Sequence, residues 1–332
     1  MIYGNTPPTR GAGLARMEAI GRREQRAVID QRGYSVVDRA PGWQALGMRS
    51  QLDDTPGRSW LGDPIDARSL FAPEHAALMA TLRDLGPADW RKEAVPGWSV
   101  HDVAAHLLGD FYGRLARDRD GYREGPAFGP GETLETFIHR INQEWVDAFR
   151  RVSPSALTDT LDLVGGQVCR FFETTDPDAP SLGVSWAGVD PAPMWLDSAR
   201  EFTEFWTHRQ QIRHAVGQDT DLHAPFLSVV LDTFLRALPH TLRAVDAPAG
   251  TQIQVRIDGP AGGAWTATAT EPGWSLAEPV TGEPAATVHL DAETAWRLCT
   301  RGIQPDTALA RARIHGDPRL ARAACQIVSI VY

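Results

Sequence analysis

The amino-acid sequence predicts an α+β protein, with a helical bundle over residues 65–220 and a small mixed α+β domain over 221–332. Three observations carry this. From Pro73 onward, apolar residues recur at three- and four-residue spacing, the signature of amphipathic helices. Near Thr251 the period switches to two, as half-buried strands require. Between two such alternating runs lies Gly-Pro-Ala-Gly-Gly, a hairpin connection. Residues 1–60 are rich in Gly, Pro and Arg and lack a long apolar pattern. They read as a dispensable extension or a misassigned start, with Met17 and Met48 as other possible starts.

The first bundle helix opens at Pro73, a favoured first-turn residue, and stops at Gly86-Pro87. Ser99 caps the second, and Asp102 three residues on makes a capping-box start. A third helix spans Glu132 to Val152, and a fourth begins at Pro154. The following PDAPSLGVSWAGVDPAP stretch is long for a connection. It suits a lid or pocket wall, or equally a surface excursion pinned by Trp186. A fifth helix runs from Trp195 to Val216 and ends at Gly217, a natural C-terminal stop. No strand is expected between 65 and 220.

After Asp221, APFLSVVLDTFLRALPHTLRAV reads as one helix. TQIQVRIDG and GAWTATATE form the hairpin, and ATVHLD adds a short strand. DAETAWRLCTRG is a helix with Asp291 as cap and Gly302 as stop, and DPRLARAACQIVSIV is a last helix. The tripeptide Pro-Gly-Trp occurs at 41, 96 and 272, but its unequal spacing marks turns rather than repeats.

Composition narrows the function. No apolar run approaches the ~18 residues of a membrane span, and no signal-peptide stretch opens the chain, so a cytoplasmic protein is expected. A formal net charge of −9 opposes nucleic-acid binding, which needs clustered positive charge. Cys169, Cys299 and Cys325 are too few and scattered for a disulfide framework or thiolate metal site, and should be reduced and buried. A small molecule is the expected partner; no protein partner is evident.

The chemistry-bearing residues are carboxylates and imidazoles on helices. Glu204 and His208 stand four apart on the fifth helix, on one face, so both can reach a single ion. A histidine on the second helix can add a third ligand, and two imidazoles with one carboxylate suit zinc or another divalent ion. Spacing leaves alternatives. His101 and His106 both flank the apolar stripe of the second helix. Glu135 and His139 repeat the spacing on the third. An exposed i,i+4 pair is the plain alternative for Glu204 and His208. Asp197, Glu201, Glu204, His208 and Gln211 line one polar stripe on a helix otherwise rich in large apolar residues. Such a stripe can face a cavity. Arg200, Arg209 and Arg213 could hold an anionic substrate or simply carry surface charge. Trp186 and Trp206 could wall a pocket, though Trp206 suits a core position better. Asp118-Arg-Asp120-Gly is too short for a calcium loop and reads as a helix end.

PGWSVHDVAAHLLGD, followed about a hundred residues later by REFTEFWTHRQQIRHAVG, resembles the mycothiol-dependent maleylpyruvate isomerase family, within the DinB-like four-helix bundle superfamily. The resemblance implies that His106, in Ala105-His106-Leu107, is a metal ligand, and that Glu204 and His208 complete the set. His101, Glu135 and His139 match no family ligand. The segment from Ala286 to Ile330 resembles the sterol-carrier-like domain often attached to this family, through its Asp-x-Glu-Thr-x-Trp-Arg-Leu stretch and the Gly316-Asp317-Pro318 turn. The implied cofactors are a divalent metal, Zn²⁺ by type, and the thiol mycothiol; the implied activity is isomerisation or S-transfer. Two other functions fit the same residues: a small-molecule binder with a structural metal, and a metal hydrolase.

Overall fold

The computed structural model describes residues 59–271 and 273–330. The expected extension over 1–60 therefore lies outside the described residues except at its end. There the Trp60 carbonyl accepts from Leu276 N–H at 2.8 Å, and Leu61 just beyond is fully buried.

The N-terminal part is built in chain order from α1 (Phe71–Arg83), β1 (Glu93–Val95), β2 (Trp98–Ser99), α2 (Val100–Arg114), α3 (Leu134–Phe149), α4 (Pro154–Thr174), β3 (Pro180–Ser181), β4 (Ala192–Pro193) and α5 (Met194–Ala215). The Ser99 cap has both arms of its capping box: Asp102 N–H donates to Ser99 Oγ, and Ser99 N–H donates to Asp102 Oδ2. Ser153 caps α4 with Pro154 following it. Gly217 at φ +81° stops the chain just beyond α5, as expected. Helix α1 packs on α4 and α5, and α2 on α3, α4 and α5. Their common core is aromatic: Phe71 stacks on Phe172 at 4.3 Å and meets Phe202 and Phe205 edge-on.

The expectation of no strand before residue 220 fails in detail. β1 pairs with β2, and β3 with β4, each antiparallel. Both are minimal ladders, too short to show a two-residue period. The second ties down the Pro-rich stretch, whose Val184, Ala187 and Val189 are buried.

The C-terminal part contains α6 (Ala224–Leu235), α7 (Leu238–Leu242), β5 (Gln252–Ile257), β6 (Gly263–Thr270), β7 (Gly273–Ser275), β8 (Ala286–Leu290), α8 (Ala292–Cys299), α9 (Pro305–Arg311), β9 (Arg313–Gly316) and α10 (Pro318–Ala324). The strands form one mixed sheet in the order β7-β6-β5-β8-β9, with β5 and β8 parallel and the other pairs antiparallel. Ile253, Val255 and Ile257 alternate inward with Ala286, Val288 and Leu290. The architecture is α+β, with helices first and the mixed sheet after them, and the predicted hairpin is β5–β6.

Three expectations need correction here. The single helix after Asp221 is broken into α6 and α7, because Pro239 has no N–H for the Leu235 carbonyl and its ring displaces it. The last helix ends at Ala324 rather than continuing to Val331. Beyond it, Ser329 N–H bonds Cys299 O and Ser329 Oγ bonds Phe234 O, tying the tail to α8 and α6. After α8 the left-handed residue is Arg301, at φ 57°, and not Gly302. The three cysteines are free and buried, as expected. One continuous hydrophobic cluster runs from Leu61 to Ile327, through both the helices and the sheet.

Candidate metal centre

Helices α2 and α5 run side by side, and their polar faces meet. The 3.6-residue repeat places His106, Asp110 and Arg114 on one line of α2, four residues apart. On α5 it places Asp197, Glu201, Glu204 and His208 on one line. Partners cross in descending order: His106 lies by His208 and Glu204, Asp110 by Glu201, and Arg114 by Asp197 and Glu201.

At one end of this ladder, one ligand atom each from His106, Glu204 and His208 lies within 4.8 Å of the others. His208 Nε2 is 3.3 Å from Glu204 Oε2, and the two imidazole rings are 4.8 Å apart and nearly perpendicular. Two atoms bound to one zinc ion at 2.0–2.1 Å are at most about 4.2 Å apart. In a tetrahedral set such atoms stand about 3.3–3.4 Å apart, so a pair at the 4.8 Å limit would close by about 1.4 Å on an ion. His106 Nδ1 is buried and has no hydrogen-bond partner, the kind of orphan a ligand would satisfy. His208 Nδ1 lies 2.7 Å from Gln211 Oε1. An amide oxygen only accepts, so Nδ1 carries the proton and Nε2, on the Glu204 side, keeps its lone pair.

Electrostatics favour the charge states a cation needs. Burial, with His208 nearby, pushes the His106 imidazole down to about 3, so it is neutral. Burial would raise Glu204, but the neighbouring His208 and the charge of Arg200 prevail, holding it at about 2. The His106 and His208 side chains are buried or nearly so, whereas Glu204 is 28% exposed, so the triad is open on the carboxylate side.

The remaining candidates separate cleanly. His101 sits on the other side of α2 and bonds Val152 O at 2.9 Å. Glu135 and His139 are exposed on α3. The arginines are committed to internal partners. Arg200 bonds Asp197 and Glu201, and Arg209 grips Glu74 and Asp221, while Arg213 donates to Asp219 O. Arg200 and Arg209 are thus not free cations for a substrate. Asp118 and Asp120 are paired with neighbouring arginines, consistent with a helix end. Trp206 is a core residue, fully buried, and Trp186 is buried too. The stripe on α5 is also only partly a cavity face: Asp197 and Glu201 are buried against Arg114.

Sequence reading missed Asp110, Arg114 and Trp98. Arg114 is 2% exposed and bonds Asp118, Asp197 and Glu201. Trp98 stands 5.3 Å from the His106 ring and donates to Gln143 Oε1, forming a wall beside the triad. The four-residue spacing of His106, Asp110 and Arg114 was the available signal.

Residues 71–213 match the family model of the mycothiol maleylpyruvate isomerase N-terminal domain. No curated protein matches the chain. Among solved structures, the crystal structure of the mycothiol-dependent maleylpyruvate isomerase is similar at 13% identity, with TM-score 0.42, over 70% of this chain and 86% of that one. The crystal structure of a mutant of that isomerase follows at 14% identity and TM-score 0.39, with the same coverage.

Proposed function

Because residues 71–213 match the family model of the mycothiol maleylpyruvate isomerase N-terminal domain, we propose that this protein is a divalent-metal-dependent enzyme using mycothiol on a small electrophile. The reaction is isomerisation or S-transfer. The observation that carries the reading is the convergence of His106, Glu204 and His208 from two helices, with no fourth His, Cys, Asp or Glu among the described residues in the group. Three protein ligands with one open position are the pattern of a catalytic rather than a structural ion.

A divalent ion held there would lower the pKa of a thiol bound to it, making a nucleophile at neutral pH. The protein's own groups do the rest. His106 and His208 supply neutral donors, and Glu204 supplies the charge that favours a cation over a proton. Gln211 fixes the His208 tautomer. Trp98 and the α2–α5 contact exclude water from one side, while the exposed edge at Glu204 admits the thiol and electrophile. No helix of the described residues is long and apolar enough to cross a membrane. The same reading divides the chain into a metal-binding bundle to residue 220 and an α+β domain over 221–332, with residues 1–60 outside both.

The test is metal analysis of purified protein with turnover of maleylpyruvate in the presence of mycothiol. His106→Ala or His208→Ala should lose the metal and the activity, and His101→Ala and His139→Ala should keep both. Full metal in His106→Ala with loss in His101→Ala would overturn the ligand assignment. Metal with no thiol-dependent turnover would favour the binding-protein reading.

A further inference from the structure

One turn along the α2–α5 ladder from the triad, two acids face each other. The Asp110 and Glu201 side chains come within hydrogen-bonding reach of one another. Yet Asp110 Oδ2 and Glu201 Oε1 are both buried and have no donor. Two carboxylate oxygens only accept, so they cannot bond one another unless a proton lies between them. Buried and unshared, each would bear the full cost of a missing partner.

The charges around them require the same proton. Glu201 Oε2 already accepts from Arg114 Nη2 at 2.6 Å and Arg200 Nη2 at 2.8 Å. Those two cations are also claimed by others: Asp197 accepts from both, and Asp118 accepts from Arg114. Arg117 also grips Asp118. Three positive charges thus face Asp197, Asp118, Asp110 and Glu201, with Glu204 one turn on; Ser181 adds only a neutral donor to Asp197. The four acids outnumber the three arginines by one, so one negative charge of the Asp110–Glu201 pair is in excess. Like charges in one buried site do not both ionise. In keeping with this, burial pushes the Glu201 carboxyl up to about 8, with Asp110 adding to the rise against the pull of Arg114 and Arg200.

The two acids are not equivalent. Glu201 is fully buried, whereas Asp110 is partly exposed and sits on the His106 face of α2. Four residues of helix separate Asp110 from His106 by about 6 Å along the axis, within reach of a small substrate held at the triad.

We propose that Asp110 and Glu201 hold one proton between them, and that Asp110 delivers it as the general acid of the site, with Glu201 the positioning residue behind it. The delivery step rests on the enzyme reading above. When a thiolate adds to the substrate's activated double bond, the new C–S bond leaves an electron pair on the neighbouring carbon or its enolate oxygen. The shared proton moves to that atom, and the pair is left as two carboxylates, with Glu201 held by Arg114 and Arg200 and Asp110 at the partly exposed edge. In isomerisation, expulsion of the thiolate returns the proton to the pair. In S-transfer, the pair regains it from solvent.

The experiment is infrared spectroscopy of the full chain, with and without zinc, paired with metal analysis and rate profiles. At pH 7 the wild type should show the C=O stretch of a protonated buried carboxyl in both samples, fading as pH rises through about 8. Glu201→Gln and Asp110→Asn should each lose the band while binding zinc as wild type does. Absence of the band at pH 7, or its survival in both variants, would overturn the shared proton. In mycothiol-dependent turnover, Asp110→Asn should lower kcat with little change in KM, on the 10²–10⁴-fold scale of general acid catalysis. Glu201→Gln should move or remove the alkaline limb of the profile. Wild-type rates and an unchanged profile in both variants would overturn the acid role. Protein that binds no zinc and turns nothing over would sink the enzyme reading and the acid role with it; the band alone then decides whether the pair shares a proton.

Discussion

Gln211 offers a sharp test of the centre, because it touches no ion and yet should control one. Its Oε1 lies 2.7 Å from His208 Nδ1, a short hydrogen bond between two side chains three residues apart on α5. The bond does two things. It keeps the proton on Nδ1, leaving the Nε2 lone pair on the side of Glu204, 3.3 Å away. It also holds the ring in plane with that direction. Without it, the neutral imidazole can place its proton on either nitrogen, and the ring can turn. Loss of such a partner behind a metal-bound histidine typically costs 10–100-fold in affinity. That corresponds to about 1.4–2.7 kcal/mol. Gln211→Ala should therefore weaken zinc binding by one to two orders of magnitude, with little loss of fold stability, since Gln211 is only partly buried. Competition against a chromophoric chelator at pH 7 measures this directly. Gln211→Glu, which still accepts from Nδ1, should bind zinc at least as well as wild type. Equal affinities for wild type and Gln211→Ala would refute the tautomer argument.

Three further outcomes follow from the same structure. In metal-free protein, His106 is held near 3 by burial, against about 6.5 in an unfolded chain. The unfolded state then takes up the proton first, so this contribution is complete above about pH 6.5 and is lost as pH falls toward 3, to a limit of about 5 kcal/mol. Urea midpoints from pH 7 to 4 should fall less steeply in His106→Asn; parallel curves would contradict this. A Cβ on Gly165 would stand 2.2 Å from His75 Cε1 and 2.9 Å from Phe111 Cε2, where α4 crosses α1 and α2. Gly165→Ala should lower stability by about 1–3 kcal/mol through overpacking, read from thermal melting. Glu74 is fully buried and holds Arg209 at 2.5 and 2.8 Å. Glu74→Ala leaves that arginine with Asp221 alone and should cost about 3 kcal/mol in urea unfolding, near the low end for breaking a buried pair.

What the sequence by itself determined was local. The Ser99 capping box, the stop at Gly217, the β5–β6 hairpin and the shared face of Glu204 and His208 all depend on residues within a turn or two of one another. Backbone hydrogen bonding and the 3.6- and two-residue repeats decide such features with little help from the rest of the chain. The break at Pro239 was equally local and visible in advance. The choice of His106 over His101 was not: spacing left both open, and only the family resemblance favoured one. Tertiary structure separates them because α2 turns one line of its surface toward α5. That orientation is set by the apolar side chains packed on α3, α4 and α5. The partners of Arg114, at Asp197 and Glu201, lie 83 and 87 residues away. The pairing of Asp110 with Glu201 likewise spans two distant helices. No period in the sequence announces these contacts, because a repeat fixes which residues share a face, whereas packing against the whole core decides which faces meet.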